Sequence, residues 1–361
     1  MKSSLGAVSR IASAARLRAA RRVALRGRPD LPAWNNAAVA TSPTEPRPLP
    51  ATPAPPLRRH LAILSLALLA LCGPSGAVHA QGAGPDSPWS FGVAASAAWF
   101  GDADLDGGGS VQLNSIGASL SATYSTSPRW SVGLGLSSFD HRFDFSGSGT
   151  VPDLDPWSAV HLRTVSLPMR FAVDRQWSVS VVPSYQIATA DEALNGEGTR
   201  YGSVVAVSYA VSPRQYVGFG LSYFRGLDDD TVFPVLLVEW QLDDHWRLTN
   251  PLTAGPTGPA GLELVRSFDD GWEASVGGAY RSLRFRLPDY YPLAPNGTGS
   301  YSGAIAFARL QYRFTPELSL SLFAGAQFGG ELEINADGGR TLVSVDHGTA
   351  PMVALSLSGR F

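Results

Sequence analysis

The feature that most constrains this chain is a repeated junction: a short polar turn, then an aromatic residue that opens a run of alternating apolar and small residues. The openers are Trp89 (PWSFGVAA), Trp130 (RWSVGLGL), Trp177 (QWSVSVVP), Tyr216 (QYVGFGLS), Trp246 (HWRLT) and Trp272 (GWEASVGG). One ring at the same depth on every other strand is how a transmembrane barrel marks a membrane interface. Period two means strands. In 115–124, for example, Ile116, Ala118, Leu120, Ala122 and Tyr124 share one face, and Ser115, Gly117, Ser119, Ser121 and Thr123 the other.

A soluble sandwich produces the same alternation, so the connections must decide. Short turns at 126, 174, 212, 243, 269 and 315 alternate with long Gly-, Asp- and Pro-rich segments at 101–110, 144–157, 190–199, 226–230, 251–258, 288–300 and 329–348. Short turns at one end and longer loops at the other are the asymmetry of outer-membrane barrels. The expected fold is all-β, an up-and-down antiparallel transmembrane β-barrel. Its fourteen strands fall at 89–100, 111–125, 130–143, 158–173, 177–188, 200–211, 216–225, 231–242, 246–250, 259–268, 272–287, 301–314, 318–328 and 349–361. Losing the weak pair 246–250 and 259–268 would leave twelve. The last strand places Val353, Leu355, Leu357 and the terminal Phe361 on one face, a pattern that resembles the signal by which outer-membrane barrels are recognised for assembly.

Composition supports this only after the first eighty residues are set apart. They hold eleven of the 28 basic residues but only Asp30 and Glu45 among the 30 acidic ones, which leaves the remainder near −11 and without a lysine. Within them Arg58, Arg59 and His60 precede an apolar run from Leu61 to Leu71, and Val78-His79-Ala80 reads as a cleavage site before Gln81. That is a secretory signal at 58–80, its apolar run too short for a membrane helix of roughly 20 residues. Leu71 before Cys72 argues against a lipoprotein. Residues 1–57, Arg/Ala-rich and then Pro-rich, carry no periodicity able to build a core; they are a disordered leader or precede a true start near Leu57. The barrel proper is 81–361, cysteine-free once cleaved, expected in the outer membrane of a Gram-negative bacterium.

Three stretches, PVLLVEWQLDDHWRLTNP (234–251), AGLELVRSFDDGWEASVGGAYRSLRFRL (260–287) and FGGELEINADGGRTLVSVDHGTAPMVALSLSGRF (328–361), resemble a family of uncharacterised outer-membrane β-barrels of Gram-negative bacteria. The likeness follows the hairpin rhythm over most of 85–361 and the actual residues in the C-terminal half. It implies fold and location, and no site.

Candidate chemistry is sparse. Glu239, Glu273, Arg309 and Arg313 are expected inward among Ser, Gly and Thr; Arg281, Arg284 and Arg286 crowd one strand end, where a parity switch between Tyr280 and Leu283 predicts a bulge. Together they are the lumen or constriction candidates, able to order ions or an anionic solute, or merely to neutralise one another. Phe139, Phe224, Phe233, Ile305, Phe307 and Phe323, also inward, favour a local plug. Asp102, Asp104, Asp106 and Gly107 match the start of a calcium loop, but Leu113 stands where its bidentate Glu belongs, so a solvated acidic loop is expected and no metal site. Asp140, His141 and His161 lie near one another without a nucleophile at an interpretable spacing, so no enzyme is expected. His245 and His347 fall in turns. No cofactor motif and no basic stripe for nucleic acid appears. The expected function is a passive pore for small solutes, the alternative a closed barrel working through its loops. The expected partners are outer-membrane lipid and lipopolysaccharide, the barrel-assembly machinery and periplasmic chaperones.

Overall fold

The computed structural model describes residues 87–361, apart from 155, 192, 195, 213, 214, 253 and 254. The leader, signal and cleavage readings for 1–80 lie outside those residues. The strands are β1 (Trp89–Asp104), β2 (Ser110–Ser127), β3 (Trp130–Ser146), β4 (Ala159–Ser166), β5 (Met169–Ala172), β6 (Trp177–Ala190), β7 (Thr199–Ser212) and β8 (Gln215–Gly226). There follow β9 (Thr231–Gln241), β10 (Trp246–Thr249), β11 (Gly261–Ser267), β12 (Trp272–Arg286), β13 (Thr298–Arg313), β14 (Leu318–Asn335), β15 (Thr341–His347) and β16 (Ala350–Arg360). Neighbours in sequence pair antiparallel, β13 pairs β14, β14 pairs β16, and β16 pairs β1, so the sheet closes on itself. Sixteen strands make a barrel of fourteen staves, because β4 and β5 are halves of one stave and β15 pairs only the far end of β14. The weak pair β10 and β11 is formed, and fourteen stands over twelve.

The turns explain why the openers recur. In three of them the residue three before the opener, and in a fourth turn Thr315 three before the non-aromatic strand opener Leu318, offers one side-chain oxygen to two following amides. Ser127 Oγ accepts from the amides of Arg129 and Trp130 at 3.2 Å each. Asp174 Oδ1 accepts from Gln176 and Trp177 at 2.7 Å, Asp243 Oδ1 from His245 and Trp246 at 2.8 Å, and Thr315 Oγ1 from Glu317 and Leu318 at 3.3 and 3.1 Å. A short polar side chain thus does what a backbone carbonyl would do in a turn, and the opener's own carbonyl accepts from Val173, Leu242 or Phe314 to close the hairpin. The turn at 269 works differently, through Asp270 at φ 62° and Gly271 at φ 81°.

Outside, the openers pair with rings on the neighbouring stave: Trp89 with Tyr124 at 4.8 Å, Trp130 with Phe171 at 4.6 Å, Trp177 with Tyr209 at 4.9 Å and Trp272 with Tyr312 at 4.8 Å. Arg266 lies over Trp246 at 5.5 Å. Tyr216 departs from this set. It stands opposite Glu239 in the register and so shares the inner face. Beyond this girdle come exposed Leu120, Leu134, Leu136, Val165, Val205, Leu221, Leu236 and Leu322, and at the other limit Trp99, Tyr185, Tyr201, Tyr223 and Tyr280.

Three differences from the expected elements have local causes. The stave 158–173 breaks at Leu167–Pro168, beside Pro183 of β6; a proline at adjoining positions on each strand leaves the ladder short of donors, and Leu167 N bonds Pro183 O at 2.9 Å. The segment 329–348 is a hairpin, β14 continuing to Asn335 and returning as β15. The bulge near Arg281 is absent, since β12 and β13 stay in register from Trp272 to Arg286. At the seam, Phe361 and Phe91 exchange both backbone hydrogen bonds, 2.7 and 2.8 Å, while Val353, Leu355 and Leu357 lie on the outer face of β16, opposite buried Met352, Ala354 and Ser356.

The apolar core lies inside the barrel, in the half bearing the long loops. Phe100, Leu113, Phe143, Trp157, Phe285, Tyr301, Ile305, Phe323, Leu332, Ile334 and Met352 form one buried cluster drawn from β1, β2, β3, β12, β13, β14 and β16. Trp157 meets Phe285 edge-on at 4.8 Å and Phe143 at 5.9 Å. Phe143 on β3 lies 6.5 Å from Phe285 on β12. Those staves face each other across the barrel, so side chains span the lumen there.

Candidate functional site

The lumen divides into an open half at the turn end and a filled half at the loop end. At the turn end, inward Ser90, Gly92, Ala94, Ser119, Ser121 and Thr123 on β1 and β2, with Arg360 of β16, line a cavity of about 320 Å³. Side chains this small leave volume for water that Leu or Phe would fill.

The opposite wall carries ions. Glu273 receives two hydrogen bonds from Arg247, at 3.0 and 2.9 Å, and one from Arg313 at 3.1 Å. Arg309 Nε meets Glu263 at 2.5 Å, both side chains almost wholly buried. Ser275 also donates to Glu263, and Thr249 donates to Glu239 at 2.7 Å. Glu239, Glu273, Arg309 and Arg313 are thus brought together, and the network has two further members. Glu263 and Arg247 escaped the sequence reading, although position alone marks both: Arg247 follows an outward opener, and Glu263 alternates with Leu262 and Leu264. Three carboxylates meet three guanidiniums, so the cluster neutralises itself. A buried ion pair is weak evidence of stability, and a balanced one provides no field to select an ion.

Arg284 and Arg286 are not lumen residues. On unbroken β12 they take the face opposite Leu283 and Phe285, yet are themselves covered, because the tip of β12 crosses the loop end. Arg284 Nη2 donates to Asp229 at 2.8 Å. Arg286 holds Asp228 with two bonds, 2.9 and 3.0 Å, and bonds the carbonyl of Glu197 at 3.1 Å. A parallel bridge links Arg286 to Thr189 of β6, six staves away. The aspartates are presented by a turn in which Leu227 (φ 54°) and Asp228 (φ 71°) hold left-handed conformations uncommon for side-chain-bearing residues. Burial of Leu227 in the core holds that turn in place.

Arg281 stands apart from both groups. It faces the lumen, bonds the carbonyl of Pro256 at 3.2 Å and His141 Nδ1 at 3.2 Å, and lies 5.7 Å from the centre of the Phe100 ring. A guanidinium only donates, so His141 is neutral at Nδ1. His141, 2% exposed, also stacks on Phe139.

The expected trio Asp140, His141 and His161 is divided by the barrel wall, His141 pointing inward and the others outward. His161 Nδ1 lies 2.6 Å from Asp140 and its Nε2 3.4 Å from Asp191, while Arg163 bonds Asp140 at 2.9 Å. Ser158 donates to Asp191 rather than to the imidazole. Both ring nitrogens therefore face carboxylates, and neither activates a hydroxyl. His347, expected in a turn, is buried on β15, stacked on Tyr301 at 4.8 Å and bonded to the Ser302 carbonyl at 3.1 Å. Asp102, Asp104 and Asp106 are exposed, and no metal-binding cluster occurs among the described residues.

No protein-family model and no curated protein matches the chain. Similar solved structures include an outer-membrane channel from Pseudomonas putida F1 (TM-score 0.40, 10% identity, 76% of this chain and 96% of that one) and the P. putida toluene transporter TodX (0.35, 9%, 75% and 89%). The NanC porin follows (0.34, 10%, 74% and 98%). Likeness at this level carries no inference about function.

Proposed function

We propose that the protein is an outer-membrane channel for small solutes, shut in this conformation by the β12–β13 hairpin lying across the loop end. The exterior supports the membrane part of that reading. Trp89 and Trp99 stand ten residue steps apart on β1, roughly 33 Å of strand, which at a tilt of about 40° spans roughly 25 Å, the height of an outer-membrane apolar band. A closed barrel leaves no backbone group stranded in hydrocarbon. The turn end, where β1 starts and β16 finishes, faces the periplasm, and the long loops face outward.

The observation that carries the channel reading is how the lumen ends. A small-residue vestibule opens at the turn end, while at the other end the β12 tip is held by Arg284–Asp229 and Arg286–Asp228. The Arg286–Asp228 pair is only about a tenth exposed. Breaking such a pair from one side costs about 3–5 kcal/mol, and even about 3 kcal/mol would shift a closed-to-open equilibrium roughly a hundredfold.

The second reading, a permanently closed barrel that works through its loops, is favoured by the apolar cluster in the outer half. Planar-bilayer recording separates them. The refolded wild-type chain is expected to open rarely, and the Asp228→Asn, Asp229→Asn double variant far more often. A folded double variant that never conducts removes the channel reading and leaves the closed barrel.

A further inference from the structure

We infer that Arg281 is the recognition point for a small organic carboxylate with an apolar body, an assignment that rests on the channel reading for its biological use. The five arginines of the ion wall and of the β12 tip settle their charge against carboxylates: Arg247 and Arg313 with Glu273, Arg309 with Glu263, Arg284 with Asp229, Arg286 with Asp228. Arg281 is different. Among the described residues it has no carboxylate partner, and its bonds run to two neutral acceptors, the Pro256 carbonyl and His141 Nδ1, each at 3.2 Å. A guanidinium carries five donors in a planar fork matched to a carboxylate, and charge-assisted bonds are about twice as strong as those to neutral oxygens. A carboxylate arriving here exchanges two long neutral contacts for a bidentate ionic one.

The surroundings define the rest of the ligand. Directly opposite Arg281 on β13 is Gly303, over which the unbranched side chain of Gln327 from β14 lies; to either side on that inner face are buried Tyr301 and Ile305. Leu283 is the next inward residue of β12, and the Phe100 ring lies beneath the guanidinium. A bare inorganic anion would lose its hydration in such a place and regain little. An aromatic or short aliphatic carboxylate has its charge met by Arg281 and its body by the rings. The location also suits the role, since Arg281 bonds β12 to His141 on β3 across the lumen, where the closing contacts meet. A solute that takes this guanidinium from His141 and Pro256 weakens the closure as it binds.

The test is isothermal titration calorimetry of the refolded full chain with sodium benzoate and, separately, benzylammonium chloride and sodium phosphate, in wild type, Arg281→Gln and Arg281→Lys. Expected is saturable benzoate binding in wild type, at least tenfold weaker in Arg281→Gln and intermediate in Arg281→Lys, which keeps the charge but loses the fork, with neither benzylammonium nor phosphate binding at equal concentration. The lysine variant keeps the comparison decisive if the glutamine variant does not fold. Equal benzoate affinity in wild type and the folded glutamine variant, tighter phosphate than benzoate binding, or no benzoate binding to a folded wild-type barrel would each overturn the assignment. Benzoate binding by a barrel that never conducts would sink the channel and keep the site, whereas conduction without such binding would do the reverse.

Discussion

The Asp-x-x-Trp turn is the smallest unit of this fold and has a measurable signature. Asp174 is exposed, and its carboxylate is held below the ordinary value of 3.8 by the amides of Trp177 and Gln176; Asp243 is held down likewise by those of His245 and Trp246. A lowered folded-state pKa adds stability that is fully present above the unfolded value and is lost as pH falls through the folded one. Urea unfolding between about pH 5 and pH 2 should therefore show a loss of stability that Asp174→Asn diminishes, because the amide oxygen still accepts both bonds but no longer titrates. An unchanged pH slope in that variant would show that the two amides do not hold the charged form. This unit was legible because it is local. Ser127, Asp174 and Asp243 each stand three residues before an aromatic opener, Thr315 stands three before Leu318, and all four act within their own turn. Tyr216 looked the same in sequence but turns inward, because the register opposite Glu239 is fixed by the neighbouring strand and not by the turn.

At the scale of the element, β12 shows where period two stops being readable. From Trp272 to Tyr280 the alternation is clear, and then Leu283, Arg284, Phe285, Arg286 and Leu287 are all covered on both faces. The expected bulge was a reading of that loss of pattern, but its cause is a straight strand whose tip crosses the mouth of the barrel. Contacts such as Arg286 with Asp228 join distant segments and leave no local trace, whereas Glu331-Leu332-Glu333-Ile334 within the supposed loop did carry the alternation of the β14–β15 hairpin. Phe285 is the residue on which the crossing rests, wholly buried against Trp157 and Phe143. Phe285→Ala should cost about 3–5 kcal/mol of local packing. Hydrogen exchange would then rise at the amides of 281–298 while β1–β3 stay protected below their outer ends. Uniform loosening of the whole barrel would mean that the tip is not a separable element.

For the whole molecule, the decisive property is inversion: Leu, Val and Trp outside, Ser, Gly and paired ions inside the turn-end half, with a conventional apolar core only beneath the loops. Along most staves the facing followed from alternation, as with Leu120 and Leu322 outward, whereas Tyr216, Arg284 and Arg286 were placed by their neighbours. That the lumen is sealed did not follow from alternation, because sealing depends on which inward rings meet across a diameter. If the outer faces of these staves lie in a bilayer, tryptophans must report it. The most direct measurement is fluorescence quenching by brominated acyl chains of the full chain in liposomes, using variants that retain a single tryptophan. Trp89, Trp130, Trp177 and Trp272 should be quenched strongly by bromines near the interface, and Trp157, buried inside the barrel, not at all. Quenching of Trp157 equal to that of the four openers, or protection of all five, would contradict the account.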